Sequence, residues 1–291
     1  MTDEFDFKMP STLRRAAFDP ENNRAIFASK GVPVDDPQLA ERVAVKKKRQ
    51  HQAWVEQLKR QRADVYWSYS LLGAGDESFE FSDWHPEEHG DKRQANNIGN
   101  KAYKLAQEIA AGTNMSVFMS GNAGTGKTSL ALAMLTEIRN QGRSVMFVST
   151  EELANLVNDR IQYPDVAQKL ADTLRAMQEV DVLVLDDLGS EVGTYAQVND
   201  KDFKGVRRDM QERMYKVANA RYNGTKAEQD SARKAGKRLL KPVHSTIITS
   251  NNQISELNRI YAERTISRLI TQDPNHAIFF NGMPDMRRVR R

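Results

Sequence analysis

The sequence predicts an α/β fold: a P-loop core on a parallel five-stranded sheet flanked by helices, preceded by a small, mainly helical N-terminal region. Three observations predict it. Residues 121–128 read GNAGTGKT, a complete G-x-x-x-x-G-K-[ST] loop between an apolar run and a helical pattern. Downstream, apolar runs alternate with amphipathic stretches, the pattern of a parallel sheet covered on both faces. One of those runs, Val182-Leu183-Val184-Leu185, ends in the paired carboxylates Asp186 and Asp187.

Residues 1–38 carry Pro10, Pro20, Pro33 and Pro37 and little periodicity, which suggests short helices joined by loops. From about 39 to 69 the pattern is helical and strongly basic, with Trp54, Leu58 and Val65 near one face. Such a helix either packs its aromatic stripe on a neighbour or offers it to a partner. Leu72-Gly73-Ala74-Gly75-Asp76 reads as a linker, dividing the chain into a partner-binding region, 1–75, and an ATPase domain, 76–291. Helices are expected over 96–111, 127–141, 151–160, 165–177, 202–222 and 254–270, and strands over 116–120, 144–149, 181–186, 245–250 and 276–280. The stretch 223–242 is expected to be an exposed basic loop.

The 121–128 loop predicts a nucleoside triphosphate ligand. Gly121, Gly124 and Gly126 let the chain through Asn122, Ala123 and Thr125 turn its N–H groups toward phosphate oxygens, and the helix beginning near Ser129 adds its positive end. Lys127 is expected to reach the β- and γ-phosphates of ATP, and Thr128 to ligate Mg²⁺. Asp186 closes a buried strand where ligand-facing groups gather, and is the second Mg²⁺ group; Asp187 is placed to orient or deprotonate the attacking water. A third strand ends in Asn251-Asn252, and Asn251 is the candidate bridge between that water and the γ-phosphate.

Composition narrows the class. The chain has 291 residues and no cysteine, so disulfides, thiolate-held zinc and thiol chemistry are excluded. No apolar run approaches the ~20 residues a membrane span needs, and the acidic start MTDEFDFKMP lacks a signal-peptide core, so a soluble cytoplasmic protein is expected. Charge is segregated: residues 76–200 hold 10 Lys+Arg against 20 Asp+Glu, whereas residues 201–291 hold 20 against 9. A basic lobe of that size suggests a polyanion or an acidic subunit surface as partner.

Taken together and in order, GNAGTGKTSLA, LVLDDLGSE, STIITSNN, ERTISRL and FFNGMPDMR resemble the DnaC/DnaI-type replicative helicase loaders of bacteria and their phages, within the AAA+ ATPases. The resemblance covers about residues 76–291. It implies an ATPase that self-assembles through shared ATP sites and brings a hexameric replicative helicase to single-stranded DNA. It also implies a trans arginine, Arg268 with Arg264 as second choice, and a cis sensor, Arg287 with Arg288 adjacent. Asp187 stands where most of the superfamily has Glu, which implies modest hydrolysis, and the missing cysteines exclude a zinc-binding N-terminal domain. Two other functions fit the same core: an IstB-type transposition helper acting on duplex DNA, and a nucleotide-controlled adaptor with negligible turnover.

Overall fold

The computed structural model describes residues 37–73, 78–192, 203, 205–271 and 273–289. The chain divides into two compact units, Met1–Gln57 and Leu58–Arg291. Helix α1, Pro37–Ser68, contributes to both. Trp54, Leu58 and Val65 do share a face, but that face is open to solvent, at 52%, 43% and 53% exposure. Within the second unit it is the opposite face that packs. Ala63 is buried, the Tyr66 hydroxyl donates to Glu179 Oε2 at 3.3 Å, and Arg139 pairs with Asp64 at 3.0 Å while its guanidinium lies over Trp67.

After the helix the chain crosses to the sheet. Leu71 forms a one-residue parallel bridge to Val148, with Leu71 N–H donating to the Phe147 carbonyl and Ser149 N–H to the Leu71 carbonyl, both at 2.8 Å. Residues 58–73 are therefore part of the second unit. The glycine-flanked break near residue 75 follows this attachment, and the two compact units divide at Gln57/Leu58.

The sheet holds β1 (Ser116–Ser120), β2 (Val145–Ser149), β3 (Val182–Asp186), β4 (Ser245–Ser250) and β5 (Ala277–Phe279) in the order β2-β3-β4-β1-β5, all parallel. Helix α2 (Lys92–Ala110) precedes β1; between the strands run α3 (Lys127–Asn140), α4 (Thr150–Asp159), α5 (Pro164–Glu179), α6 (Arg208–Asn223), α7 (Lys226–Lys234), α8 (Ile254–Tyr261) and α9 (Glu263–Leu269), with α10 (Met286–Val289) last. Strand alternation sorts side chains into two cores. Val117, Met119, Phe147, Val184 and Ile247 face the core of α2 and α3; Phe118, Val148, Leu183, Leu185 and Ile248 face that of α4, α5, α6, α8 and α9. Burial on both faces explains why these runs are apolar without alternation.

Three elements differ from the sequence reading. The helix expected over 254–270 is two helices, broken at Ala262, whose φ is 67°. The Ile260 carbonyl accepts from Val206 N–H at 3.2 Å rather than continuing the helical ladder, and only Gly205 lets the backbone come that close, since a Cβ there would lie 2.6 Å from the Ile260 oxygen. The helix expected from 202 begins at Arg208. The stretch 223–242 is largely exposed but contains α7, started by a capping box in which Thr225 and Glu228 satisfy each other's backbone N–H.

At the amino ends of β3 and β4, the fully buried Arg221 donates to the carbonyls of Met177 (2.7 Å), Val180 (3.0 Å) and Ser245 and to Thr246 Oγ1 (2.8 Å). Burial pulls its pKa down to about 9, Asp181 and Glu228 pulling the other way, so it stays charged at neutral pH. Arg221→Leu should strand these acceptors, at about 1–3 kcal/mol for each one left without water. Urea unfolding should therefore show a midpoint well below that of the wild type; an unchanged midpoint would refute this role.

Candidate active site

The β3-β4-β1 neighbourhood sets Gly121, Asp186 and Asn251 along one edge of the sheet, because Ser120 is level with Ser250 and Leu185 with Ile248. That edge is the carboxyl end of the strands, where open α/β sheets bind ligands. Gly121, Gly124 and Gly126 carry φ of 152°, 75° and 93°. At Gly124 the need for glycine is steric as well, since a Cβ would fall 1.8 Å from Asp285 Oδ1.

The site is a network of buried charge. Lys127 is 4% exposed, and its ammonium donates to the carbonyls of Gly121 (2.8 Å) and Asn122 (2.7 Å) and to Asn251 Oδ1 (2.7 Å). Burial lowers its pKa, while Asp187 and Asp186 act to raise it. Thr128 Oγ1 donates to Asp186 Oδ2 at 3.2 Å, and Thr249 Oγ1 to Asp186 Oδ1 at 2.7 Å. Burial pushes Asp186 up to about 6, against its threonine bonds and Lys127, with Asp187 adding to the rise. Asp187 follows with φ of 51°, a left-handed conformation that L-residues avoid, and its N–H donates to Thr249 Oγ1 at 2.8 Å.

A cavity of about 450 Å³ opens over this network, lined by Lys127, Thr128, Ser129, Asp187, Asn251 and Arg287 among others. The C-terminal segment is laid on the loop: Met286 N–H donates to the Gly124 carbonyl at 2.8 Å, and Arg287 Nε to Asp285 Oδ1 at 3.1 Å. The structure thus brings Lys127, Thr128, Asp186, Asp187, Asn251 and Arg287 together. It does not bring Arg268 or Arg264 to this cavity. Both stack on Tyr215 of α6, at 5.3 and 4.5 Å from its ring centre. The side chain of Arg288 lies outside the described residues.

Sequence reasoning missed the opposite wall, which is Phe79, Trp84, His85, Glu88 and His89. Trp84 stacks on His89 with ring centres 4.2 Å apart, donates to the Ala95 carbonyl at 3.1 Å, and leaves no room for a side chain at Gly126, whose Cβ would sit 2.8 Å from the indole. The clustered aromatics in FSDWHPEEH were the available signal. A loop with positive φ at three glycines, a buried lysine and an aromatic wall suit a phosphate chain and a base. Thr128 and Asp186 supply one hydroxyl and one carboxylate oxygen, a donor set that fits Mg²⁺, which takes few protein ligands and completes its shell with phosphates and water.

This fold and site define a P-loop nucleotide-binding core on a parallel sheet. Residues 78–218 match the family of IstB-like ATP binding proteins. Over 93 residues, 32% of this chain, the sequence is 29% identical to the replicative helicase loader DnaC of Escherichia coli K12, and the same figures hold for the Shigella flexneri protein. The matched stretch spans 37% of the length of those curated relatives. Among solved structures, the DnaC helicase loader aligns at 21% identity over 75% of this chain and 99% of that one, TM-score 0.46. DnaA of Aquifex aeolicus aligns at 16% over 68% and 49%, TM-score 0.43. More particularly, then, residues 78–218 are similar to IstB-like ATP binding proteins, and a 93-residue stretch of the chain is similar to DnaC.

The raised pKa of Asp186 fixes a pH dependence. Between the ordinary carboxylate value near 4 and about 6, folded Asp186 holds a proton that the unfolded chain has released, so its contribution to stability falls as pH rises through that window. Asp186→Asn removes this loss. In the nucleotide-free protein the variant should gain on the wild type, by on the order of 2 kcal/mol, from pH 4 to pH 6 and gain nothing further above pH 7. Parallel stability curves across that range would refute the shift.

Proposed function

We propose that the protein is an ATP-driven helicase loader: it binds ATP with Mg²⁺, hydrolyses it modestly, and assists the loading of a hexameric replicative helicase onto single-stranded DNA. The observation that carries the reading is the convergence of Lys127, Thr128, Asp187, Asn251 and Arg287 on one cavity, with Asp186 bonded to Thr128, in a domain similar to that of DnaC. Lys127 would exchange its loop carbonyls for β- and γ-phosphate oxygens. Thr128 and Asp186 would hold Mg²⁺, which supplies charge neutralisation on the phosphates. Asp187 would orient and deprotonate the water, its direction fixed by the Thr249 bond to its backbone. Asn251, already on Lys127, would bridge water and γ-phosphate, and Arg287 would take up charge in cis. The Trp84–His89 pair would face the base. Arg268 would act on a neighbouring subunit's site, which agrees with its position away from its own cavity. The 1–57 unit, with the exposed stripe that continues along α1, would meet the helicase.

Matching to the IstB-like family keeps a transposition helper as the second reading, and preference for duplex over single-stranded DNA would favour it. An adaptor would bind ATP without turnover.

Lys127→Ala should weaken ATP binding at least about 100-fold in an equilibrium titration, because the phosphate charge loses its counterion inside a partly desolvated loop. Wild-type affinity in that variant would remove the basis of the reading. Arg268→Ala and Asp186→Asn, each inactive alone, should partly restore turnover when mixed, since intact Asp186 can then meet a neighbour's intact Arg268. No recovery would exclude a shared site.

Lys234, Lys237, Arg238 and Lys241 are all exposed. Changing the four to Ala should flatten the salt dependence of single-strand binding by up to about 3 in log-log slope, at about 0.7 per phosphate contact. An unaltered slope would assign the basic lobe to a protein surface.

A further inference from the structure

Glu191 lies five residues beyond Asp186, after the turn that carries Asp187, and has no place in the chemistry described above. It is nonetheless half-buried and bonded into that turn. Its Oε2 is 3.0 Å from Thr150 Oγ1 and accepts from Gly189 N–H at 3.0 Å, while among the described residues its Oε1 is buried with no hydrogen-bond partner. The same Thr150 hydroxyl contacts the carbonyls of Asp187 (3.0 Å) and Asp186 (3.2 Å). These contacts surround a backbone that does not hold its own shape, since Asp187 has φ of 51° and Gly189 φ of 97°.

We propose that Glu191 is a positioning residue for ATP hydrolysis, clamping the Asp187–Gly189 turn through Thr150 and the Gly189 N–H so that the Asp187 carboxylate is aimed into the cavity. The inference rests on the reading of this cavity as a hydrolytic site. Thr150 has one proton and three oxygen neighbours, of which the two carbonyls cannot donate. A carboxylic acid at Glu191 resolves the count by donating to the hydroxyl, which then donates to the Asp186 and Asp187 carbonyls. The surroundings favour that form: burial pushes Glu191 up to about 7 and Asp187 adds to the rise, against the bonds from Thr150 and the backbone. On the other side of the turn, Thr249 Oγ1 takes the Asp187 N–H and Ser250 Oγ donates to the Leu188 carbonyl at 2.6 Å. Thr150, which follows β2, and Glu191 hold the other side. A side chain so placed acts on the direction of Asp187 and not on phosphate binding, and a displacement of about an ångström at a reacting group is enough to cost orders of magnitude in rate.

The test uses the full chain with Glu191→Ala, Glu191→Gln, Thr150→Val and Thr150→Ser. Amide hydrogen exchange in the nucleotide-free protein should show the Gly189 N–H opening at least about tenfold faster in E191A and near the wild-type rate in E191Q, whose amide oxygen can take the place of Oε2 and accept from both the Gly189 N–H and the Thr150 hydroxyl. With ATP, E191A and T150V should lose about tenfold or more in kcat with nucleotide affinity unchanged, while E191Q and T150S stay close to wild type. Should E191A fail to fold, the T150V and T150S pair decides. Unchanged Gly189 exchange in E191A, wild-type kcat in T150V, or an affinity loss that matches the loss in kcat would overturn the proposal. A wild-type protein without turnover would instead refute the hydrolytic reading, and the exchange measurement would still decide whether Glu191 holds the turn.

Discussion

The carboxylate of Asp186 is where the fold and the chemistry constrain each other most. It ends the fully buried β3, so it is desolvated by the strand that delivers it. A buried carboxylate without partners raises its pKa rather than stay charged, and this one rises to about 6 even with hydroxyl donors on both oxygens. Those donors are Thr249 of β4 and Thr128 at the start of α3, which meet at Asp186 only because the strand order sets β3 beside β4 and β4 beside β1. The compensating cation, Lys127, is itself depressed by the same burial. A divalent cation carried in with phosphate would favour the ionised form of Asp186.

Legibility in the sequence followed locality. The loop at 121–128, the carboxylate pair and Asn251 each announce themselves within a few residues, and strand order at the switch point does the rest. Thr249, Thr150 and Glu191 give no such signal, since each is an ordinary strand or helix-start residue until the sheet sets it against the Asp187 turn. Trp84 belongs to the same class: its role depends on Gly126, 42 positions away. The break at Ala262 was illegible for a tertiary reason, because Val206 takes the carbonyl that would have continued the helix. Leu71 escaped notice because a single bridging residue has no periodicity to read. By contrast, the start of α7 was written plainly as Thr-x-x-Glu at 225–228 and was hidden only by the basic composition around it.

The positive charge of residues 201–291 is less of a surface property than the residue count suggests. Arg221 is wholly internal and serves the strand ends. Arg207 shares Asp209 with Arg160, and Arg208 is matched by Glu212. Arg264 and Arg268 lie against the Tyr215 ring, which holds two like charges close together by cation–π attraction and by the Arg268 bond to the Arg264 carbonyl. Arg287 is paired with Asp285 at the cavity. What remains in solvent is concentrated in and after α7, where Lys234, Lys237, Arg238 and Lys241 fall within eight positions. Charge gathered on one projecting segment can follow a phosphate backbone without reading bases, whereas charge spread over a lobe would answer equally well to an acidic protein face. The distribution therefore supports the proposed nucleic-acid contact of this segment, from which Arg264 and Arg268, stacked on the Tyr215 ring, stand apart.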